Sequence, residues 1–289
     1  MKNILTTSIA AIAVLQPFSQ TALAYELHEW GTFTSISGSD GILLGGLDVE
    51  EEKLPRFVYA LDGMQNIGPG YAMGGKGFLF KRPLQNVTIK METPVLYFYS
   101  DKPFHAQVKV DFNGGAICQW YPQRSGGESV PKMNIKSPTP APKPGDPPAK
   151  PLTPEQVFKI RGGIDFSTKR TGAIEWEVDV LGKDADHSLS FKPGETLSWV
   201  YPRNPKANLL KVAGSKGQPD HYEDYLFYRG VGNSPLPVKF TVDTDETITI
   251  SNTSKEAIPF LFVHEITPKG ITRYHAIHQG VKAGKTLTV

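Results

Sequence analysis

The 289-residue chain predicts an all-β fold of antiparallel sheets arranged like a sandwich, with a proline-rich disordered insertion and a small C-terminal β module. Apolar and polar residues alternate with period 2 along many short segments, as strands with one wet face require. The 28 glycines and 24 prolines punctuate these segments at short intervals, which supplies the turns between strands. No long stretch shows the 3.6-residue period of an amphipathic helix.

The strongest strand signals lie between Val87 and Pro122. Val87, Ile89 and Met91 alternate with Thr88, Lys90 and Glu92, the pattern of a half-exposed strand. After Pro94 the run Val95-Leu96-Tyr97-Phe98-Tyr99 is apolar or aromatic on both sides, which predicts a central strand covered on both faces. Ala106, Val108, Val110 and Phe112 then define a further half-exposed strand. Asn113-Gly114-Gly115 tolerates positive φ and predicts a tight hairpin to a partner strand, Ala116 to Tyr121.

Residues 1–24 carry one charge, Lys2, an apolar run from Ile4 to Leu15, and Ala22-Leu23-Ala24. That is the layout of a signal peptide cleaved after Ala24. Its apolar core is shorter than the roughly 20 residues that span a bilayer, and no cysteine offers a lipid-anchor site there. The expectation is a soluble protein of the periplasm or the extracellular space, without a membrane anchor. The net charge of +2 falls to +1 without Lys2, a balance that implies neither nucleic acid nor another polyanion as partner. The single cysteine, Cys118, cannot form an intramolecular disulfide. Stability therefore rests on burial, and chains of this size bury roughly 75% of their unfolded surface.

From Tyr25 to Pro83 the sequence is rich in glycine, and it is read as an N-terminal region (25–83) packed on the main domain. His28 to Ile36 predicts a strand, and Val49 to Lys53 at most a short helix. Gly70 to Lys76 matches part of a phosphate loop, but Gly77 stands where a metal-binding hydroxyl belongs and no helix follows, so a surface loop is the better reading. The main β domain is assigned to residues 84–232, with a proline-rich insertion at about 131–155. Ser137 to Pro154 has eight prolines and no aromatic or β-branched aliphatic residue, too little apolar surface to offset its ordering entropy. A strand in which Ile174, Trp176, Val178 and Val180 alternate with acids follows the insertion. Shorter strand signals stand at Leu189–Phe191, Thr196–Tyr201, Leu209–Val212 and Tyr225–Tyr228. From Val238 onward, five short strands separated by turns make up the C-terminal sandwich-like module, 233–289.

Four segments together, HEWGTFTS (His28–Ser35), KMETPVLYFY (Lys90–Tyr99), WYP (Trp120–Pro122) and LFYRG (Leu226–Gly230), resemble a group of exported bacterial proteins. The ETPVLYFY run is also similar to a wider group whose strand reads roughly KPVIYLYP. The likeness runs from His28 to Gly230 and implies a β fold and export. It brings no catalytic residue with it.

Candidate chemistry therefore comes from the residues themselves. His28-Glu29 places an imidazole beside a carboxylate and His221-Tyr222-Glu223-Asp224 an imidazole beside two, and His28, Glu29, His221 and Glu223 with Glu92 form the candidate acid/base set. A histidine satisfied within a core, or a solvated turn, explains the same residues without function. Asp184-Ala185-Asp186-His187 is a wetter version of the same composition. His264 and Glu265 are neighbours on an alternating strand and face opposite ways. His275 and His278 are a candidate metal pair, yet i and i+3 on a strand point to opposite sides. No G-x-S-x-G elbow is present, and Cys118 in an alternating strand reads as a buried thiol. No cofactor is implied. The sequence favours a non-catalytic binding or structural protein for a polysaccharide, peptide or protein ligand. The alternative is a secreted hydrolase using His28, Glu29, Glu92, His221 and Glu223, and convergence of those groups in one cleft would favour it.

Overall fold

A computed structural model describes residues 24–47, 55, 57–60, 84–128, 153, 164–167, 171–190, 201–214, 219–267 and 269–289. Residues 1–23, in which a signal peptide was expected, the 49–53 and 70–76 segments, nearly all of the proline-rich stretch and most of Thr196–Tyr201 lie outside these residues. Among the described residues there is no α-helix, and the architecture is all-β.

The main body is two facing antiparallel sheets. One has five strands, in the order β1 (Glu26–Ser35), β4 (Ile89–Tyr99), β11 (Leu226–Gly232), β6 (Gly115–Tyr121) and β2 (Tyr59–Ala60). The other has four, in the order β10 (His221–Glu223), β9 (Leu210–Val212), β8 (Thr171–Val180) and β5 (Phe104–Asn113). Alternate side chains from both sheets meet in one core: Leu96 and Phe98 from β4, Trp120 from β6, Trp176 and Val178 from β8, and Leu226 from β11. A short parallel pair, β3 (Leu84–Gln85) and β7 (Ile164–Asp165), lies beside the outer face of the larger sheet, where Ile164 packs with Ala116, Cys118 and Val231.

The central-strand expectation for Val95–Tyr99 holds. Leu96 and Phe98 are buried in the inter-sheet core, while Tyr97 is buried on the opposite face with Phe57, Tyr121, Tyr225 and Phe227. The two segments flanking Pro94 are one strand of 11 residues rather than two. Pro94 has no N–H for a ladder bond, which normally excludes it from a strand interior. Here β4 carries one more residue than either neighbour across Thr93–Pro94: Trp30 and Thr32 of β1 face Val95 and Glu92, and Phe227 and Gly230 of β11 face Val95 and Met91. A bulge of this kind absorbs the proline. Gly31 lies opposite it, and a Cβ there would stand 2.9 Å from the Pro94 Cα.

The hairpin expectation at Asn113-Gly114-Gly115 is corrected. Gly114 has φ +84° as predicted, but β5 pairs with β8 and β6 pairs with β11 and β2. The turn carries the chain from one sheet to the other, because β5 buries only one face whereas every residue of β6 is buried. The Leu189–Phe191 strand is also corrected: His187–Leu189 is a 3-10 turn whose entry is fixed by Asp186 accepting from the Ser188 N–H. β6 and β8, which flank the proline-rich stretch, contribute Trp120 and Trp176 to the same core.

Past Gly232, β12 (Val238–Val242), β13 (Ile248–Asn252) and β16 (Thr286–Thr288) form a three-stranded sheet. The hairpin β14 (Leu261–Ile266) and β15 (Thr272–Ile277) packs against it around Ile248, Ile250, Ile277 and Val281.

Candidate functional site

The chain passes from the smaller to the larger sheet between β10 and β11, and a polar cluster forms at that crossing. Expected as a loop, His221–Glu223 is instead a short edge strand paired with Leu210–Val212. This pairing turns the Glu223 side chain fully inside, 0% exposed. Arg203, on the 3-10 turn Tyr201–Arg203, grips it twice: Nε donates to Oε1 at 2.9 Å and Nη2 to Oε2 at 2.5 Å. The Asp224 N–H adds a third donor at 2.8 Å. Burial nevertheless pushes the Glu223 carboxyl above the usual carboxylate range, against the pull of Arg203. The same guanidinium lies 5.3 Å from the centre of the buried Tyr225 ring, in the range of a cation–π contact.

Two imidazoles border this ion pair. His221 Nε2 shares a short hydrogen bond with the Tyr121 hydroxyl, which ties β10 of one sheet to β6 of the other. Burial, reinforced by Arg203, pushes the His221 pKa down. Burial also raises the Tyr121 and Tyr225 phenols, so both stay protonated at neutral pH. His187 Nδ1 lies 2.7 Å from Asp224 Oδ1, and Ser190 Oγ donates to Asp224 Oδ2 at 3.1 Å. Asp224 thus orients an imidazole that remains partly exposed. The serine donates to the carboxylate rather than to the histidine, so the three groups do not form the relay that activates a serine nucleophile.

The other sequence candidates are held elsewhere. Glu92 lies between Arg229 and Lys90, both almost fully buried, in an ion triad on the outer face of the larger sheet. Glu29 and His28 are adjacent on β1 and face opposite ways. Glu29 turns toward the inter-sheet side, where it accepts from the Tyr228 hydroxyl. His28 pairs with Glu26 at 2.6 Å and packs 5.1 Å from the Tyr99 ring. In the C-terminal module His275 lies on β15 opposite Val263, and His278, beyond the strand, packs against Phe260. Among the described residues no group of three or more His, Cys, Asp or Glu is placed to hold a metal ion.

A concave feature lined by described residues lies at the other side of the main body. The edge strands β1 and β5 bound a cleft of about 820 Å³ between the two sheets, within the range of roughly 300–1,000 Å³ typical of ligand pockets. Leu27 and Phe33 of β1 and Phe104 of β5 line it, with Leu96, Phe98 and Met91 as its floor, Glu29 and Tyr228 as polar groups on the larger-sheet side, and the polar side chains of β5 along the opposite rim. Leu27 is 45% and Phe33 58% exposed, large values for apolar residues on the inward side of a strand.

Of the five acid/base candidates, only His221 and Glu223 share a cluster. Of the partners that define it, Asp224 belongs to the same His221–Asp224 run, Tyr121 to the WYP segment and His187 to the acidic run before it, whereas Arg203 carries no local motif. Comparison with protein-family models, with curated proteins and with solved structures finds no match.

Proposed function

We propose that this chain is an exported, non-catalytic binding protein that holds an extended ligand in the cleft between β1 and β5. The observation that carries the reading is the exposure of Leu27 and Phe33 on the inward side of an edge strand, above an apolar floor. Apolar surface left open at a concave site is a feature of ligand grooves. Scatter of His28, Glu29 and Glu92 away from His221 and Glu223 supports binding over hydrolysis, because acid/base chemistry needs its groups within reach of one substrate. Neutral oligosaccharides and extended peptides are the ligand classes to test by calorimetry. Phe33→Ser is expected to lower affinity for the bound class at least about tenfold while thermal unfolding stays unchanged. Unaltered binding by this variant would remove the cleft from the reading.

A hydrolase remains the second reading, supported by the Asp224-oriented His187 imidazole. Hydrolysis of any ester, peptide or glycoside substrate that disappears in His187→Gln would establish it.

A further inference from the structure

We infer that the ligand of this cleft is a peptide that adds to β1 as an extra strand, with apolar side chains and a basic residue turned toward Glu29; this rests on the cleft reading above. β1 is ten residues long, and among the described residues it is hydrogen-bonded to a strand, β4, on one side only. A long exposed edge is normally protected by lysine, proline, its own bulge or an inward-pointing charge, and of these β1 carries only the last, Glu29, the charge a basic partner would neutralise. From Glu26 to Ser35 there is no Lys, Arg or Pro. The irregularity opposite Trp30–Thr32 lies on β4, so β1 itself keeps an even alternation. Such an edge presents an unbroken row of backbone donors and acceptors, which is what strand addition requires.

Register and charge define the partner. Leu27, Glu29 and Phe33 face the cleft while His28 and Trp30 face away. An added strand would send every second side chain over Leu27, Glu29 and Gly31 into the cleft. The charges on the β5 side are already matched: His105 lies 2.9 Å from both Glu177 and Asp179, and Lys109 lies near Asp111 and Glu175. On β1 the ionisable side chains are Glu26, Glu29 and His28, and His28 is engaged with Glu26. Glu29 has one bond from Tyr228 yet stays exposed. A cation across the strand from it completes the site.

The probe is an acetylated heptapeptide, Thr-Val-Thr-Lys-Thr-Val-Thr amide, whose Val, Lys and Val match the spacing of Leu27, Glu29 and Gly31. Binding is read by anisotropy of the labelled peptide and by the fluorescence of Trp30, which is 68% exposed on β1. N-methylation of the Val/Lys amides and of the Thr amides gives two series, of which only one has its N–H groups toward β1. The two series should differ at least about tenfold in affinity. Lys→Glu in the peptide should weaken binding about fivefold, and Glu29→Lys in the protein should reverse that preference. Equal affinity of the two methylated series, or no charge reversal, overturns strand addition. So does a dimer in sedimentation whose interface is β1 of two copies. If an oligosaccharide binds instead and is lost in Phe33→Ser, the peptide inference fails while the cleft reading stands.

Discussion

Replacing Arg203 with Met tests the view that the polar crossing between β10 and β11 is an internal ion pair around a fully buried carboxylate. The guanidinium makes two charge-assisted bonds to Glu223, each worth about 1.5–3 kcal/mol. Breaking a buried pair by removing one partner costs about 3–5 kcal/mol. The two figures overlap, and Glu223 keeps its bond from the Asp224 N–H. A loss of about 3–4 kcal/mol at pH 7 is therefore expected from urea unfolding. The pH dependence supplies a second check. Glu223 already titrates above its ordinary value because of burial, and losing Arg203 raises it further. A raised carboxyl destabilises the fold while it is ionised, and the penalty falls as pH drops through the folded-state value. The variant should thus recover part of its deficit on acidification from pH 7, relative to wild type. The double variant Arg203→Met/Glu223→Gln should be less destabilised than Arg203→Met alone. A single-variant loss below about 1 kcal/mol, the range of exposed pairs, with no pH dependence, would refute the buried-pair argument.

Phe98→Ala should cost about 3–5 kcal/mol in the same assay, since the ring is buried in the inter-sheet core; a loss under about 1 kcal/mol would contradict that placement. His221 and His105 should move stability in opposite directions with pH. His221 is held below its ordinary pKa by burial and Arg203, so its contribution is complete above about pH 6.5 and is lost as pH falls toward the folded value. His105 is raised by its bonds to Asp179 and Glu177, so its contribution is present below about pH 6.5 and is lost as pH rises through the folded value. Unfolding curves of His221→Gln and His105→Gln between pH 5 and 8 should flatten opposite slopes; slopes of the same sign would contradict one of the two assignments.

Strands with clear alternation were legible in the sequence. The Ile174–Val180 pattern appears as β8 with the apolar set buried, and the five C-terminal signals appear as β12 to β16. Pairing was not legible, because period 2 assigns faces and leaves partners open. Asn113-Gly114-Gly115 supplies the positive φ of a hairpin, and the same conformation serves a turn between sheets. What decided the outcome was burial: β6 needs cover on both faces, which a central place in the five-stranded sheet provides. Pro94 was read as a boundary because it breaks the alternation. A bulge does the same while continuing the strand, and sequence patterning alone does not separate the two.

The candidate site shows where local reading ends. His28-Glu29 and His221-Tyr222-Glu223 look alike as imidazole–carboxylate neighbours, yet strand geometry treats them differently. On β1 the two adjacent residues are split between faces, so Glu29 reaches the cleft and His28 leaves it. On β10, two residues apart, His221 and Glu223 share a face and enter one cluster through Tyr121 and Arg203. Spacing of one or two residues is thus enough to decide between a split and a shared site. The cleft follows from the same rule, since Leu27, Glu29 and Phe33 share a parity that gathers them on one side of β1. Their exposure was hidden in the sequence, where inward apolar residues look the same whether a neighbouring strand covers them or an edge leaves them open. Edge position is a property of the pairing order, and that order leaves Leu27, Glu29 and Phe33 of β1 exposed at the open side of the sandwich.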